Sequence, residues 1–116
     1  MYFPNAGINL SANNATIQEN IMKNNFYGMT MYNAQYNVIK NNSILSNDHC
    51  GIYMSGSSFN FLLNNIVSNH TYNGFGIYDS SNNNVIENNI LTKNSYCGIN
   101  LRISSDNIVI GNLSLY

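Results

Sequence analysis

Apolar and polar residues alternate along this chain in bursts of three or four, and asparagine or glycine closes each burst. The stretch Asn84-Val85-Ile86-Glu87-Asn88-Asn89-Ile90-Leu91-Thr92 holds two such bursts. Period-two alternation this short predicts β-strands and is too brief for a helix. A longer period lies over it. Gly followed by an apolar residue recurs as Gly7-Ile8, Gly28-Met29, Gly51-Ile52, Gly76-Ile77 and Gly98-Ile99, at separations of 21, 23, 25 and 22. Each opens the phrase G-I-x-L, a short turn, then N-x-I-x-x-N-x-I-x-x-N.

The columns of this repeat hold from copy to copy. Apolar columns are Ile17, Ile39, Leu62, Ile86, Val109, then Met22, Ile44, Val67, Leu91, Ser114, and Ile8, Met29, Ile52, Ile77, Ile99. Asparagine fills one column completely: Asn20, Asn42, Asn65, Asn89 and Asn112. A second runs Asn37, Asn60, Asn84, Asn107, with Ala15 in the first copy. A third is Asn25, Asn47, Asn94, with His70 standing in once.

A copy of about 22 residues cannot bury its own apolar face, whereas stacked copies bury a continuous one. The pattern therefore predicts an all-β solenoid of about five coils, starting near Gly7, Gly28, Gly51, Gly76 and Gly98. Parallel stacking sets equivalent residues ~4.8 Å apart. Isoleucines then line the core. Asn amides donate to one neighbour and accept from the next, which satisfies groups that are costly to bury alone. A pentapeptide-repeat helix is the competing reading, but its five-residue phase resets at every Gly.

Composition agrees. The 116 residues include 26 Asn, while charged residues make up only 8 %. Leu, Ile, Val and Phe total 31, enough for a packed core rather than a disordered tract. The net charge of −1 argues against a nucleic-acid surface and against an anchor on anionic lipid. Aliphatic runs such as Ile108-Val109-Ile110 are far too short to insert in a membrane. The first residues show no basic or apolar leader region. Neither end carries a recognisable polar cap. Residues 1–116 therefore read as a single β-helix segment, expected to continue into flanking coils of a longer solenoid or to stack on end-to-end copies.

The phrase resembles the right-handed parallel β-helix repeat of the NosD-type and related carbohydrate-binding and sugar-hydrolase (CASH) domains, within the pectin-lyase-like superfold. The resemblance covers nearly the whole chain. It implies a right-handed coil, an extracellular or cell-surface location, and a substrate groove on the face of the G-I-x-L strand. It leaves function open, since one fold hosts many chemistries.

On that strand the outward column reads Asn9, Thr30, Tyr53, Tyr78, Asn100, and the next Ser11, Tyr32, Ser55, Ser80, Arg102. Tyr32, Tyr53, Tyr78, Asn100 and Arg102 are thus the candidate glycan face, since tyrosine rings stack on sugars and amides bond their hydroxyls. Two further outward columns are apolar: Val38, Phe61, Val85, Ile108 and Ile21, Ile66, Ile90, Leu113. They mark a partner surface, an inverted local alternation or a face covered by loops.

Catalytic groups are sparse. The five acids, Glu19, Asp48, Asp79, Glu87 and Asp106, fall in different columns, whereas glycosidase chemistry needs a carboxylate pair. Asp79 stands where Leu10, Met31, Met54 and Leu101 sit in other copies; a one-residue deletion moving it into the bend is the expected explanation. Cys50 and Cys97 each precede a repeat Gly and so lie two coils apart, about 9.6 Å by the stacking distance, too far for a disulfide. His49, Cys50, His70 and Cys97 share one corner. The family resemblance makes a copper-delivery site there an alternative, although metal-ligand spacing is absent. The sequence reads as a non-catalytic scaffold with a polysaccharide or glycan as candidate partner, and no cofactor is expected. A fragment of a polysaccharide-active lyase, hydrolase or epimerase is the other alternative.

Overall fold

A computed structural model describes residues 5–115; residues 1–4 and 116, the two ends of the expected segment, lie outside it. Coil one contains β1 (Ala6–Leu10), β2 (Thr16–Gln18) and β3 (Ile21–Lys23). Coil two has β4 (Tyr27–Tyr32), β5 (Val38–Lys40) and β6 (Ser43–Leu45), and coil three β7 (Ile52–Ser55), β8 (Phe61–Leu63) and β9 (Ile66–Ser68). Coil four supplies β10 (Phe75–Tyr78), β11 (Val85–Glu87) and β12 (Ile90–Thr92). Coil five supplies β13 (Ile99–Arg102), β14 (Ile108–Ile110) and β15 (Leu113–Leu115). Equivalent strands pair in parallel into three five-stranded sheets: β1-β4-β7-β10-β13, β2-β5-β8-β11-β14 and β3-β6-β9-β12-β15. The fold is a parallel β-helix of about five turns. Its core takes two inward columns from the first sheet and one from each of the others, with Met29, Met31, Ile39, Ile44, Ile52, Met54, Leu62, Phe75, Ile77, Ile86 and Leu91 fully buried.

The bends explain the asparagine. Strands β2, β5, β8, β11 and β14 each stop at a residue in the left-handed region, and the position repeats down the stack: Glu19, Asn41, Asn64, Asn88 and Gly111 all have positive φ. That conformation suits Asn and Gly better than other residues. The next residue turns inward and its backbone N–H no longer faces a strand carbonyl. A side-chain oxygen in the next coil replaces it. The Asn42, Asn65 and Asn89 N–H groups donate to Oδ1 of Asn65, Asn89 and Asn112 at 3.0, 2.8 and 2.8 Å. Each Nδ2 also donates to the next Oδ1, at 3.1, 3.0 and 2.9 Å. Each donates as well to a core-strand carbonyl of the previous coil, that of Ile17, Ile39 or Leu62. All four hydrogen-bonding positions of an amide are used.

The second Asn column repeats this scheme, and the Ala15 N–H joins it by donating to Asn37 Oδ1 at 2.8 Å. In the third, His70 fills an Asn place: its Nδ1 accepts the Asn47 N–H at 3.1 Å, so Nε2 carries the proton and donates to the Ile44 carbonyl at 3.0 Å. A fourth, unforeseen ladder runs through Ser57, Ser81 and Ser104, whose hydroxyls accept the N–H of Ala34, Ser57 and Ser81.

One coil departs from the expected register. Ile52 pairs with Phe75, not Ile77, and Phe75 pairs with Ile99. Coil four therefore starts at Gly74, and the separations become 21, 23, 23 and 24. Ile77 joins the inward column of Met31, Met54 and Leu101, and Asp79 lies in the bend with φ 53°. The bend placement holds, but an extra residue produces it rather than a deletion: Asp79 and Ser80 both adopt positive φ. Outward, the Tyr53 column continues through Gly76. Tyr78 takes the place expected for Ser80, beside Ser55 and Arg102. The two apolar columns do face outward, with Phe61, Ile66, Ile90, Ile108 and Leu113 exposed.

Candidate functional site

The sheet that begins at each repeat Gly carries tyrosines outward. Tyr53 sits at the centre, its ring 5.2 Å from that of Tyr27, 5.8 Å from Tyr32 and 5.3 Å from Tyr78. The Arg102 guanidinium stands 5.6 Å over the Tyr78 ring, a cation–π distance.

The corner leading into this sheet adds a second aromatic file. Phe26, His49, Tyr72 and Tyr96 each lie two residues before a repeat Gly. Their rings follow one another at 5.3, 4.6 and 4.9 Å, near the coil spacing. The two files meet in an open groove of ≈ 480 Å³ whose lining includes Tyr53, Tyr72, Tyr96, Asn100, Arg102 and Asp79. Of the expected face, Tyr53, Tyr78, Asn100 and Arg102 line it, while Tyr32 touches it through Tyr53. Sequence reasoning missed Tyr27, Tyr72 and Tyr96. With coil four started at Gly76, the position two before Gly becomes Gly74, and the aromatic column is broken. Started at Gly74, it is continuous.

Burial sets the electrostatics. It pushes Tyr27 and Tyr78 up to about 12, with neighbouring Cys50 adding to the rise in both. It raises Tyr53 as well, and there the Asp79 charge adds to the rise while Arg102 opposes it. His49, packed among Phe26, Tyr27 and Tyr72, is pulled below the usual histidine range by burial. Its Nδ1 lies 3.2 Å from Cys50 Sγ.

Under the tyrosines lies Asn73, fully buried. Its Nδ2 donates to the Tyr78 hydroxyl at 2.6 Å, and its Oδ1 has no partner. The Tyr78 ring lies across Gly76: a Cβ there would fall 2.7 Å from the ring.

The candidate metal corner does not converge. His70 commits both ring nitrogens to backbone groups, and burial holds it neutral. Cys50 and Cys97 are free thiols, Cys50 raised to about 11 by burial. Among the described residues no three of His, Cys, Asp and Glu gather where one ion could sit.

The family model of the periplasmic copper-binding protein NosD matches residues 1–115. The chain belongs to the NosD family. Two crystal structures of the periplasmic alginate epimerase AlgG are similar to this NosD-family chain in fold. The double mutant has TM-score 0.75 and 17 % identity, covering 96 % of this chain and 36 % of the other. A single mutant has TM-score 0.73 and 15 % identity, covering 97 % and 33 %. The chain thus spans about a third of the length of those structures. No curated protein matches the sequence.

Proposed function

We propose that this NosD-family chain is a β-helical binding module of the cell envelope that holds a saccharide in the tyrosine groove. The observation that carries this reading is the convergence of aromatic rings, an amide and a guanidinium on one solvent-open face. Flat rings offer stacking to the C–H faces of sugars, while Asn100 and Arg102 offer directional bonds to hydroxyl or carboxylate oxygens. The envelope location is supported by the periplasmic description of the family and by the periplasmic AlgG neighbours. AlgG acts on alginate, a fold-level analogy in favour of a saccharide.

Binding without turnover is favoured over hydrolysis because Asp79 is the one carboxylate among the groove-lining residues, whereas glycosidases of this kind use two. Copper is named for the family, yet the groove corner offers only the neighbouring pair His49 and Cys50. Calorimetric titration with a panel of soluble oligosaccharides tests the proposal. At least one should bind, and Tyr53→Ala, which removes the central ring, should weaken it about tenfold or more. A chain that binds none of the panel sinks the reading.

A further inference from the structure

Tyr78 differs from the other groove tyrosines. It is 8 % exposed, as Tyr27 is, so it offers almost no face to a ligand, whereas Tyr53 and Tyr72 are half-buried and Tyr96 is exposed; what separates it from Tyr27 is the glycine under its ring. It lies where its own column does not require a side chain. The outward column beside it reads Asn9, Thr30, Tyr53, Gly76, Asn100, and only Gly76 leaves a gap. Tyr78 folds back into that gap, over the Gly76 backbone and alongside the Tyr53 ring at 5.3 Å.

The polar end of the gap is as telling. Asn73 reaches the Tyr78 hydroxyl through Nδ2 and leaves Oδ1 unbonded inside the protein. Almost every other buried amide here is satisfied by a ladder, and an orphaned buried acceptor is destabilising. A phenol presents one oxygen and uses half of an amide. Two adjacent hydroxyls on a saturated ring use both halves: one accepts from Nδ2 while its neighbour donates to Oδ1. The phenol thus occupies the position of a six-membered ring leaning on Tyr53 at an interplanar angle of 50°, with a hydroxyl on a buried amide.

We propose that Tyr78 is a displaceable plug in a saccharide subsite floored by Gly76, walled by Tyr53 and read by the Asn73 amide, which takes a sugar ring bearing vicinal hydroxyls. This rests on the saccharide reading above. On the outer side the plug is covered by Arg102, itself exposed, so a change of side-chain rotamer opens the subsite without moving the sheet.

The sign of one mutational effect decides the matter. A platform residue loses affinity when truncated; a plug gains it. The probes are the methyl glycosides of glucose, galactose and mannose and the corresponding uronic acids, measured by calorimetry. Tyr78→Ala should bind at least one of them about tenfold tighter than the native chain, ~1.4 kcal/mol. Adding Gly76→Ala to that variant places a methyl on the floor and should remove the gain. Tyr78→Phe keeps the ring and the fold but cuts the Asn73 bond, and should gain about twofold. In the native chain, saturation with the probe should move the Tyr78 phenol from about 12 toward the ordinary tyrosine value near 10. Weaker binding by Tyr78→Ala than by a native chain that binds overturns the plug and leaves the saccharide groove standing. Binding by neither overturns both. Should Tyr78→Ala fail to fold, Tyr78→Phe and the native titration decide, and an unmoved phenol with no gain in Tyr78→Phe overturns the plug.

Discussion

Two kinds of corner meet in this solenoid. At the corners between the second and third sheets, every coil places the same residue, and every ladder amide finds its partners. At the corner that leads into the tyrosine sheet, the column before the repeat Gly reads Tyr27, Cys50, Asn73, Cys97. There the Asn25–Asn47–His70–Asn94 ladder is joined by a file of stacked rings, and Asn73 keeps an unbonded oxygen. Where a residue recurs identically along the axis, it serves the stack. Where the column changes from coil to coil and leaves a polar group unpaired, the residues break the rules of the stack, as residues of a functional site do.

The sharpest way to break this comparison is to put a defect in the regular corner. Asn65→Ala takes the acceptor from the Asn42 N–H and one bond each from Asn42 Nδ2, the Ile39 carbonyl and Asn89 Oδ1. Chemical denaturation should show a loss of roughly 3–5 kcal/mol. Asn9→Ala, on the groove side, removes only the acceptor of the Thr30 hydroxyl and should cost about 1 kcal/mol. Equal losses would mean that the ladder is not what holds the coils together.

His70 sharpens the comparison through pH. Its neutral form is required by the ladder, and burial lowers its affinity for a proton. The unfolded chain therefore takes up that proton first as pH falls below about 6.5, and stability declines on the acid side. His70→Asn should leave stability at pH 7.5 within about 1 kcal/mol and flatten the decline toward pH 5. Thermal melts across that range check it; an unchanged acid slope rejects the assignment, with the half-buried His49 as the remaining imidazole.

The smallest effect concerns the bends. Ile103 is β-branched and sits at φ 51°, in a column that otherwise holds Asn33, Gly56 and Asp79. Ile103→Asn should raise stability by about 1 kcal/mol in denaturant titration.

Much of this was legible in the sequence. The core columns Ile17 to Val109 and Met22 to Ser114, and all three asparagine columns, lie where the repeat puts them. Coil four was not, for a physical reason. Gly74-Phe75-Gly76-Ile77 offers two starts two residues apart, and a two-residue slip keeps every side chain on its own face. Hydrophobic alternation is blind to it. The evenness of the repeat and the aromatic at the position two before Gly were the available signals. That slip hid the Phe26–Tyr96 file and misplaced Tyr78. The serine ladder escaped because serine marks turns too commonly to stand out. Asn73 gave no warning at all, since one asparagine among 26 becomes distinctive only when its oxygen is seen to lack a partner.

The ladder amides all point the same way. Along each file the side-chain carbonyl faces the preceding coil and one N–H faces the following one, while the second N–H turns back to a core-strand carbonyl. Aligned amide dipoles add, as they do along an α-helix. Each file's aligned carbonyls therefore give the stack a direction, with acceptors turned toward the first coil and ladder donors toward the last. A further coil added at either end thus meets a different edge: acceptors on one side, donors on the other.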